Sequence, residues 1–363
     1  MKSTRYLVVV PAALALALAG CGGSTGSSDT PAATGATAAG APADDSNCAS
    51  ADVFCLGLVT DTGKVDDKSF NQSAHEGAQA AAKEANGFYK YIETQDAKDY
   101  AANISQFTNK KYDAIVTVGF LMADATTAAA KANPTTRFIG VDQGYDPKAV
   151  TVKNITGLIF PEDQAGYAAG YLAGLMTKSN KIGVVLGQEI PPTQAYAAGY
   201  ENGAKAANPS VTVSKVYHPA GNTAFNDPVW GAGEAKKMLA QGADFIFGAG
   251  GNTGNGALQE AAKTAGAGDK IFCIGVDLDQ WDTLPAAHPC LITSAEKHEK
   301  DGIGELLKQI KSNTIKPGNF FGTAGISAFH DFDSKVPADV KTKVADIVKK
   351  LEDGSQATGY KAG

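Results

Sequence analysis

Short apolar runs alternate with amphipathic, alanine-rich stretches along most of the chain. Alternating strand and helix patterns at this spacing are typical of parallel sheets that helices cover on both faces. Five runs precede residue 161, and four or five follow it. The pattern therefore predicts an α/β protein with two doubly wound parallel-sheet lobes. The candidate strands are VFCLGLVT, YKYIET, AIVTVG, RFIGVD, NITGLIF, KIGVVLG, VTVSKVYH, FIFGAG, IFCIGVD and CLITSA.

Three longer stretches have helical periodicity. The first, EDQAGYAAGYLAGLMTKSN, follows Pro161 and spaces its tyrosines and leucine in a way that predicts a buried face. The other two, KDGIGELLKQIKSN and PADVKTKVADIVKKLEDG, lie towards the C-terminus and mix apolar with charged positions. They are predicted to be amphipathic surface helices.

Polar or small residues stand where several predicted strands end. Asp61 follows LGLVT, Asp142 follows RFIGV, Asp277 follows FCIGV, and Gly250 and Gly251 complete or follow FIFGAG. Ligands of open α/β sheets bind beyond the carboxyl ends of the strands. A single carboxylate at such a place is usually a helix N-cap, but several converge on one crevice when two lobes face each other. The positions therefore predict a ligand crevice between the lobes.

The N-terminus has the pattern of an export signal. Lys2 and Arg5 precede the apolar run LVVVPAALALALAG, which is too short to span a bilayer as a mature helix. The four residues that end at Cys21 resemble the bacterial lipobox, which implies a signal peptide at 1–20 and acyl chains, palmitate among them, on the mature Cys21. An ordinary secretory signal with an incidental cysteine is the alternative. Acyl chains would anchor the protein to a membrane surface without spanning it.

Residues 21–50 are predicted to be the lipidated cysteine and a flexible linker, because they are rich in Gly, Ser, Thr, Ala and Pro and contain little to bury.

The formal net charge of the whole chain is −6 at pH 7, and no basic stripe is visible. The charge therefore argues against nucleic acid as a partner.

Four further cysteines, Cys48, Cys55, Cys273 and Cys290, form no C-x-x-C motif. An even number in an exported chain fits disulfides, with Cys48–Cys55 and Cys273–Cys290 as the candidate pairs. Free, buried cysteines are the alternative.

The turn DTGKVDD after the first strand is a candidate metal site. Asp61, Asp66 and Asp67 could ligate calcium through oxygen. The turn resembles the strand-end motif of calcium-dependent nucleoside hydrolases, but it is one residue shorter, has Gly63 in place of a carboxylate and carries Lys64. These differences predict no metal and no cofactor. No nucleophile–base set stands at a recognisable spacing, which argues against an enzyme. Asp66 and Asp67 are predicted instead to stabilise a helix N-terminus.

Glycines and aromatic residues supply the remaining candidates. GAGGNTGNG (248–256) lacks the Lys-Ser/Thr of a P-loop, so we expect either close backbone approach to a neutral ligand or a plain turn. Phe70 and Asn71 begin a helix, and AFNDPVWG (224–231) places an aromatic in a loop of the other lobe. Aromatic side chains from opposite lobes could hold a flat ring between them. A helix-start residue packed into the core is the alternative for Phe70.

Taken together, these residues resemble the basic membrane protein family, the substrate-binding lipoproteins of ABC importers, and within it the purine nucleoside receptor type. The resemblance covers residues 53–332, nearly all of the predicted folded part. It is carried by DxGxxDDxSFNQ (61–72), EDQAGYxAGYLAG (162–174), DPxxG (227–231), GAD (242–244), GGxTG (250–254), GVDxDQ (275–280) and TSxxK (293–297).

The resemblance implies a type I periplasmic-binding-protein fold whose lobes are joined by a hinge and close on a nucleoside. It implies eight ligand contacts: Phe70 and Phe225 on the faces of the base, Asp61, Asn71 and Asp142 at its edge, and Gly251, Asp277 and Lys297 at the ribose. Trp230 stands five residues after Phe225. The second stacking aromatic therefore stays undecided between those two.

The chain is expected to cross between lobes near residues 160–161, 293 and 321–328. Residues 51–160 with 294–325 would form lobe 1, and residues 161–293 with 326–360 would form lobe 2. We expect a monomeric, extracytoplasmic lipoprotein, anchored to the cell membrane through Cys21, that delivers a nucleoside to an ABC permease. A sugar or signal-molecule receptor of the same fold and a nucleoside hydrolase-like enzyme stay open as alternatives. The preferred nucleoside, the acceptance of deoxyribose and the identity of the permease stay open too.

Overall fold

The computed structural model describes residues 44–145 and 151–361. The predicted signal peptide, Cys21 and the linker up to residue 43 lie outside the described residues. The strands are β1 (Cys55–Thr60), β2 (Phe88–Ile92), β3 (Ala114–Val118), β4 (Arg137–Val141), β5 (Ile155–Ile159), β6 (Lys181–Gln188), β7 (Thr212–His218), β8 (Phe245–Ala249), β9 (Phe272–Asp277), β10 (Leu291–Lys297), β11 (Gly318–Phe321) and β12 (Ala324–Ile326). The α-helices are α1 (Phe70–Glu84), α2 (Tyr100–Thr108), α3 (Ala123–Ala132), α4 (Glu162–Met176), α5 (Pro191–Ala207), α6 (Pro228–Ala240), α7 (Gly251–Lys263), α8 (Gln280–Thr283), α9 (Glu299–Lys311) and α10 (Ala338–Glu352).

The strands form two six-stranded sheets. The first has the order β11-β5-β4-β3-β1-β2, and the second has the order β12-β10-β9-β8-β6-β7. All pairs are parallel except β10 with β12, an antiparallel edge pair. Strands such as β3 and β8 are buried along their whole length because helices cover both faces of each sheet. The predicted α/β class with two doubly wound lobes is confirmed.

We call the first sheet with α1, α2, α3 and α9 the first lobe, and the second sheet with the remaining helices the second lobe. α4 and α5 pack closely in the second lobe because glycines line their contact: a side chain at Gly170 would strike the carbonyl of Tyr200, and one at Gly203 the carbonyl of Tyr167. This packing fixes the position of the α5 N-terminus.

Within the ranges that the structure describes, the chain passes between the sheets three times. β10 pairs with β9 up to Glu296, so the second crossing follows Lys297, whereas the sequence placed it near residue 293. The difference arises because the apolar run ends before the polar tip of the strand. β11 pairs with β5 and β12 with β10, so the third crossing lies at residues 322–323, within the predicted 321–328 but before the lobe boundary drawn at 325.

Two disulfides are present among the described residues. Cys48 is joined to Cys55, which attaches the segment before β1 to that strand, and Cys273 is joined to Cys290, which connects β9 to the turn before β10. Over the described ranges, no helix has both the length and the apolarity that crossing a membrane requires.

Candidate functional site

One cavity lies where the carboxyl ends of strands from both sheets meet. It encloses about 530 Å³ of space between atoms, part of which is open to solvent. All eight residues predicted as ligand contacts line the cavity: Asp61, Phe70, Asn71, Asp142, Phe225, Gly251, Asp277 and Lys297.

Asp61 follows β1 at the floor of the cavity. Its backbone N–H donates to the Val118 carbonyl at 2.9 Å. Gly119 has φ +111°, and a side chain there would strike the Asp61 carboxylate. Burial, followed by repulsion from Asp67 and Asp142, raises the pKa of Asp61 to about 7. This carboxyl therefore changes its protonation near neutral pH.

Asp67 holds the start of α1. Its carboxylate accepts hydrogen bonds from the backbone N–H groups of Ser69, Asn71 and Gln72 at 3.0–3.1 Å. Burial raises the pKa of Asp67 to about 6, although these three bonds act to lower it. Asp66, the other acid predicted at this helix N-terminus, is exposed.

Two buried acceptor atoms in the cavity wall have no hydrogen-bond partner in the described part of the chain. Asn71 donates from Nδ2 to Asp67 at 3.1 Å, and its Oδ1 stays unpaired. Asp142 Oδ1 is also unpaired, while its Oδ2 accepts from Lys297. Because buried polar atoms are nearly always hydrogen bonded, both oxygens are suited to N–H or O–H donors of a ligand.

Phe70 and Phe225, which come from different lobes, both line the cavity, as does Phe120 of the first lobe. Phe70 is the first residue of α1, and the Lys297 Nζ lies 4.6 Å from its ring centroid. Phe225 comes from the loop before α6, and its ring lies against Gly187, where any side chain would strike it. Trp230 instead packs edge-on against His218, with ring centroids 4.6 Å apart, and is not among the lining residues.

Lys297 ends β10 and is surrounded by carboxylates. Its Nζ lies 2.7 Å from Asp142, 3.3 Å from Glu162 and 3.8 Å from Glu299. Burial acts to lower the pKa of Lys297, but Asp142 and the other acids raise it above its ordinary value, so the ammonium is charged.

Glu162 and Glu299 were not predicted from the sequence as site residues. Burial raises the pKa of Glu162 to about 8 and raises that of Glu299 well above its ordinary value, although Lys297 opposes both shifts. Each acid stands in the first turn of a helix, which is an ordinary exposed position for a carboxylate. The motif EDQAGY was the one signal that pointed to Glu162.

Asp277 ends β9 with φ +68° and accepts a hydrogen bond from Ser69 Oγ of the first lobe at 2.6 Å. The Tyr196 hydroxyl lies 3.4 Å from its other oxygen. Burial raises the pKa of Asp277, while Lys297 acts to lower it. Ser69 and Tyr196 were missed by the sequence reasoning. The motif DxGxxDDxSFNQ contained a signal for Ser69, whereas Tyr196 stands in no pattern that separates it from an ordinary core residue.

The wall is rich in hydrogen-bond acceptors and has four aromatic rings, those of Phe70, Phe120, Tyr196 and Phe225. Carboxylates accept strong, charge-assisted bonds from N–H and O–H groups in a dry cavity, and aromatic side chains stack on flat rings. Over the ranges that the structure describes, no group of three or more His, Cys, Asp or Glu side chains is placed to hold a metal ion. The arrangement suits a neutral ligand with a flat ring and several donor groups.

Comparison with known proteins gives a consistent result. The sequence model of the Bmp family, described as ABC transporter substrate-binding protein PnrA-like, matches residues 55–327. A CD4+ T-cell-stimulating antigen of Listeria innocua is 33% identical over 83% of this chain and 87% of its own length. The ABC transporter nucleoside-binding protein BmpA of Lactococcus lactis is 32% identical over 82% of this chain and 74% of its own.

A solved structure shares the fold. The ABC transporter solute-binding protein of Aeropyrum pernix superimposes with a TM-score of 0.74, covers 83% of this chain and 92% of its own, and is 21% identical. At this identity the likeness shows the fold alone. The predicted type I periplasmic-binding-protein fold is confirmed.

Proposed function

The chain belongs to the PnrA-like Bmp family of ABC transporter substrate-binding proteins, and on this premise we propose that it captures a purine nucleoside and delivers it to a membrane permease. The observation that carries the nucleoside assignment is the cavity wall itself. Phe70 and Phe225 enter it from opposite lobes, and unpaired acceptors of Asn71 and Asp142 lie beside them. The nucleoside-binding relative from Lactococcus lactis supports the same assignment.

The base is held by stacking and by acceptors at its edge. Phe70 and Phe225 stack on its two faces, each contact contributing roughly 1–3 kcal/mol. Asp61, Asn71 and Asp142 accept hydrogen bonds from ring N–H or amino groups. A purine with donors along one edge satisfies these acceptors better than a ring that carries only acceptors.

The ribose lies on the side of the cavity that is lined by Asp277, Gly251 and Lys297. Asp277 accepts from its hydroxyls, Lys297 donates to them, and Gly251 lets the backbone approach closely. The Lys297 ammonium, already held by Asp142, is charged and oriented before the ligand arrives. A sugar without a base would keep these contacts and lose the stacking.

Capture proceeds by closure of the two lobes. The three crossings near residues 160–161, 297–298 and 322–323 act as the hinge. A ligand that contacts both lobes at once favours the closed form by the difference between its affinities for the closed and open forms. The closed, loaded form is the one that the permease recognises.

Extracytoplasmic anchoring completes the proposal. The signal peptide directs export, the acylated Cys21 holds the protein at the outer surface of the cell membrane, and the linker up to residue 43 lets the folded part reach the permease. The predicted linker bound of residue 50 is too late, because Cys48 is joined to Cys55 of the first strand. The protein acts as a monomer and carries out no reaction on its ligand.

Calorimetric titration of the chain after Cys21 (residues 22–363) tests the proposal. Adenosine, guanosine, inosine, uridine and ribose are titrated separately, and each mixture is then analysed for free base, with and without calcium. Saturable binding of purine nucleosides, with ribose silent and no base released, supports the proposal. Binding of ribose alone assigns a sugar receptor, release of base assigns a hydrolase, and no binding at all removes the nucleoside assignment.

A further inference from the structure

Three side chains of the second lobe bind main-chain carbonyls of the first lobe outside the cavity. Asn255 Nδ2 donates to the Asp67 carbonyl at 2.6 Å. Gln280 Nε2 and Thr283 Oγ1 both donate to the Lys68 carbonyl, each at 2.9 Å. None of the three donors is among the residues that line the cavity.

Two of the donors, Asn255 and Gln280, are held in place by bonds within the second lobe. Gln280 is fully buried; its Oε1 accepts from the Val276 backbone N–H at 3.0 Å, and its Nε2 also donates to Asn255 Oδ1 at 2.8 Å. These bonds fix the orientation of both amide groups. The second lobe therefore presents these two amides whether or not the first lobe is in contact.

The accepting segment of the first lobe is equally well defined. Lys68 has φ +62°, a left-handed conformation that is uncommon for a residue with a side chain. The Asp67 carboxylate fixes the turn to the first residues of α1. Phe70 and Asn71 follow directly, so contacts to the Asp67 and Lys68 carbonyls also place the stacking residue against the second lobe.

We propose that Asn255, Gln280 and Thr283 form an interlobe latch: positioning residues that hold the closed form and set the affinity for every ligand without touching any of them. The inference rests on the proposed function only in assuming that the lobes open and close around a ligand. When the lobes separate, the carbonyls of Asp67 and Lys68 lose these donors.

The energetic consequence is independent of ligand chemistry. A contact made only in the closed form changes the equilibrium constant between the closed and open forms. The dissociation constant of every ligand that needs the closed form then changes by the same factor. A residue that touches the ligand instead changes affinity by a factor that differs between ligands. Loss of one neutral hydrogen bond weakens binding by about two- to tenfold.

Thr283→Val tests the latch, because it removes one donor and keeps the shape of the side chain. Thr283→Ser keeps the hydroxyl and is the matched rescue variant. Asn222→Ala is a second control: Asn222 accepts from the Ala97 backbone N–H at 3.5 Å, an exposed contact between the lobes at the limit of hydrogen bonding. Dissociation constants and dissociation rates are measured with guanosine, inosine and adenosine, together with small-angle scattering of each ligand-free variant.

We expect Thr283→Val to raise all three dissociation constants by one common factor, mainly through faster dissociation, while Thr283→Ser and Asn222→Ala stay near the parent. Equal constants for Thr283→Val and the parent, equal losses in the Val and Ser variants, or a factor that differs between ligands would each overturn the latch.

A failure of the proposed function can be distinguished from a failure of the latch. If the parent binds none of the three nucleosides, the nucleoside assignment fails, and scattering of the ligand-free proteins decides the latch. Gln280→Glu then provides the larger perturbation, because a carboxylate oxygen would face the Lys68 carbonyl. A larger radius of gyration for Gln280→Glu and Thr283→Val than for the parent supports the latch, and equal radii reject it.

Discussion

The ammonium of Lys297, at the end of β10 in the second sheet, lies 2.7 Å from a carboxylate oxygen of Asp142, at the end of β4 in the first. The side chain of Lys297 is 2% exposed and that of Asp142 is 5% exposed. A buried ion pair of this kind is costly to break from one side, because the remaining charge has no water to solvate it. The pair therefore links the position of the ligand-binding ammonium to the correct placement of the two sheets.

Lys297→Met is expected to destabilise the folded protein by about 3–5 kcal/mol, since it leaves Asp142 and its neighbouring carboxyls without a cation. Urea denaturation of the ligand-free protein measures the change. Lys308→Met is the matched control, because the Lys308 side chain is 62% exposed and its ion pair with Glu84 is long, at 3.7 Å. The control should change stability by about 0–1 kcal/mol. Equal effects of the two substitutions would show that the buried pair has no special role.

Phe70→Ala is expected to raise the dissociation constant for a purine nucleoside by about five- to 150-fold, the equivalent of 1–3 kcal/mol of lost stacking. Phe70 is only partly buried, so the unfolding free energy should change little. Phe321→Ala, at a ring that is 73% exposed, provides the control and should leave both quantities unchanged. An unaltered affinity in a stably folded Phe70→Ala variant would exclude the stacking role.

Substitutions of Phe225 and of Trp230 are expected to have different effects on nucleoside affinity in the same assay. Phe225 lines the cavity, whereas Trp230 packs against His218 and the core of the second lobe. Phe225→Ala should therefore weaken nucleoside binding to a degree comparable with Phe70→Ala, and Trp230→Phe should leave affinity unchanged and lower the melting temperature slightly. The reverse result would make Trp230 the second stacking aromatic.

Most of the fold was predictable because fully buried parallel strands appear in the sequence as continuous apolar runs. β3 and β8 are buried at every position, and both were predicted. β11 and β12 were not, because GNFF and AGI are short and mostly only partly buried, and their pairing depends on where the chain crosses between the sheets. Local pattern contains no information about such crossings.

The candidate site was predictable where position along a strand determines it. Asp61, Asp142 and Asp277 follow or end buried strands, and parallel strands bring their carboxyl ends to one edge. Glu162 and Glu299 could not be distinguished in the same way, because an acid in the first turn of a helix is ordinary. Only the tertiary packing that buries them beside Lys297 changes their chemistry.

The unfolding free energy of the ligand-free protein is expected to fall as pH rises from about 4.5 to about 8 through the contribution of Glu162. Burial raises the pKa of Glu162 to about 8 in the folded protein, above its ordinary 4.5, although Lys297 opposes the shift. The folded state therefore holds this proton more tightly than the unfolded state, and the stabilisation is lost as pH rises through the folded value. Glu162→Gln should make the slope of stability against pH shallower over this range. An identical slope in parent and variant would contradict this assignment.

Nucleoside affinity is expected to depend on pH through Asp61. Burial, then repulsion from Asp67 and Asp142, raises the pKa of Asp61 to about 7, and a ligand N–H needs the ionised carboxylate as its acceptor. Binding therefore lowers this pKa and releases a proton, so affinity falls as pH drops, by at most about tenfold per pH unit below 7. Calorimetry at pH 7 in buffers of different ionisation enthalpy measures the released proton directly.

Asp61→Asn provides the control for this dependence, because the amide keeps the size of the side chain and does not titrate. Its affinity should be weaker at pH 8, and it should vary less between pH 6 and pH 8 than that of the parent. Asp67, whose pKa burial raises to about 6, faces the same cavity, and Asp142, Asp277 and Lys297 are the other charged groups around it. Because the Asp67 carboxylate is already bonded to backbone N–H groups, its titration should change affinity only below pH 6. A slope between pH 6 and pH 8 that persists in Asp61→Asn would assign the proton to another group.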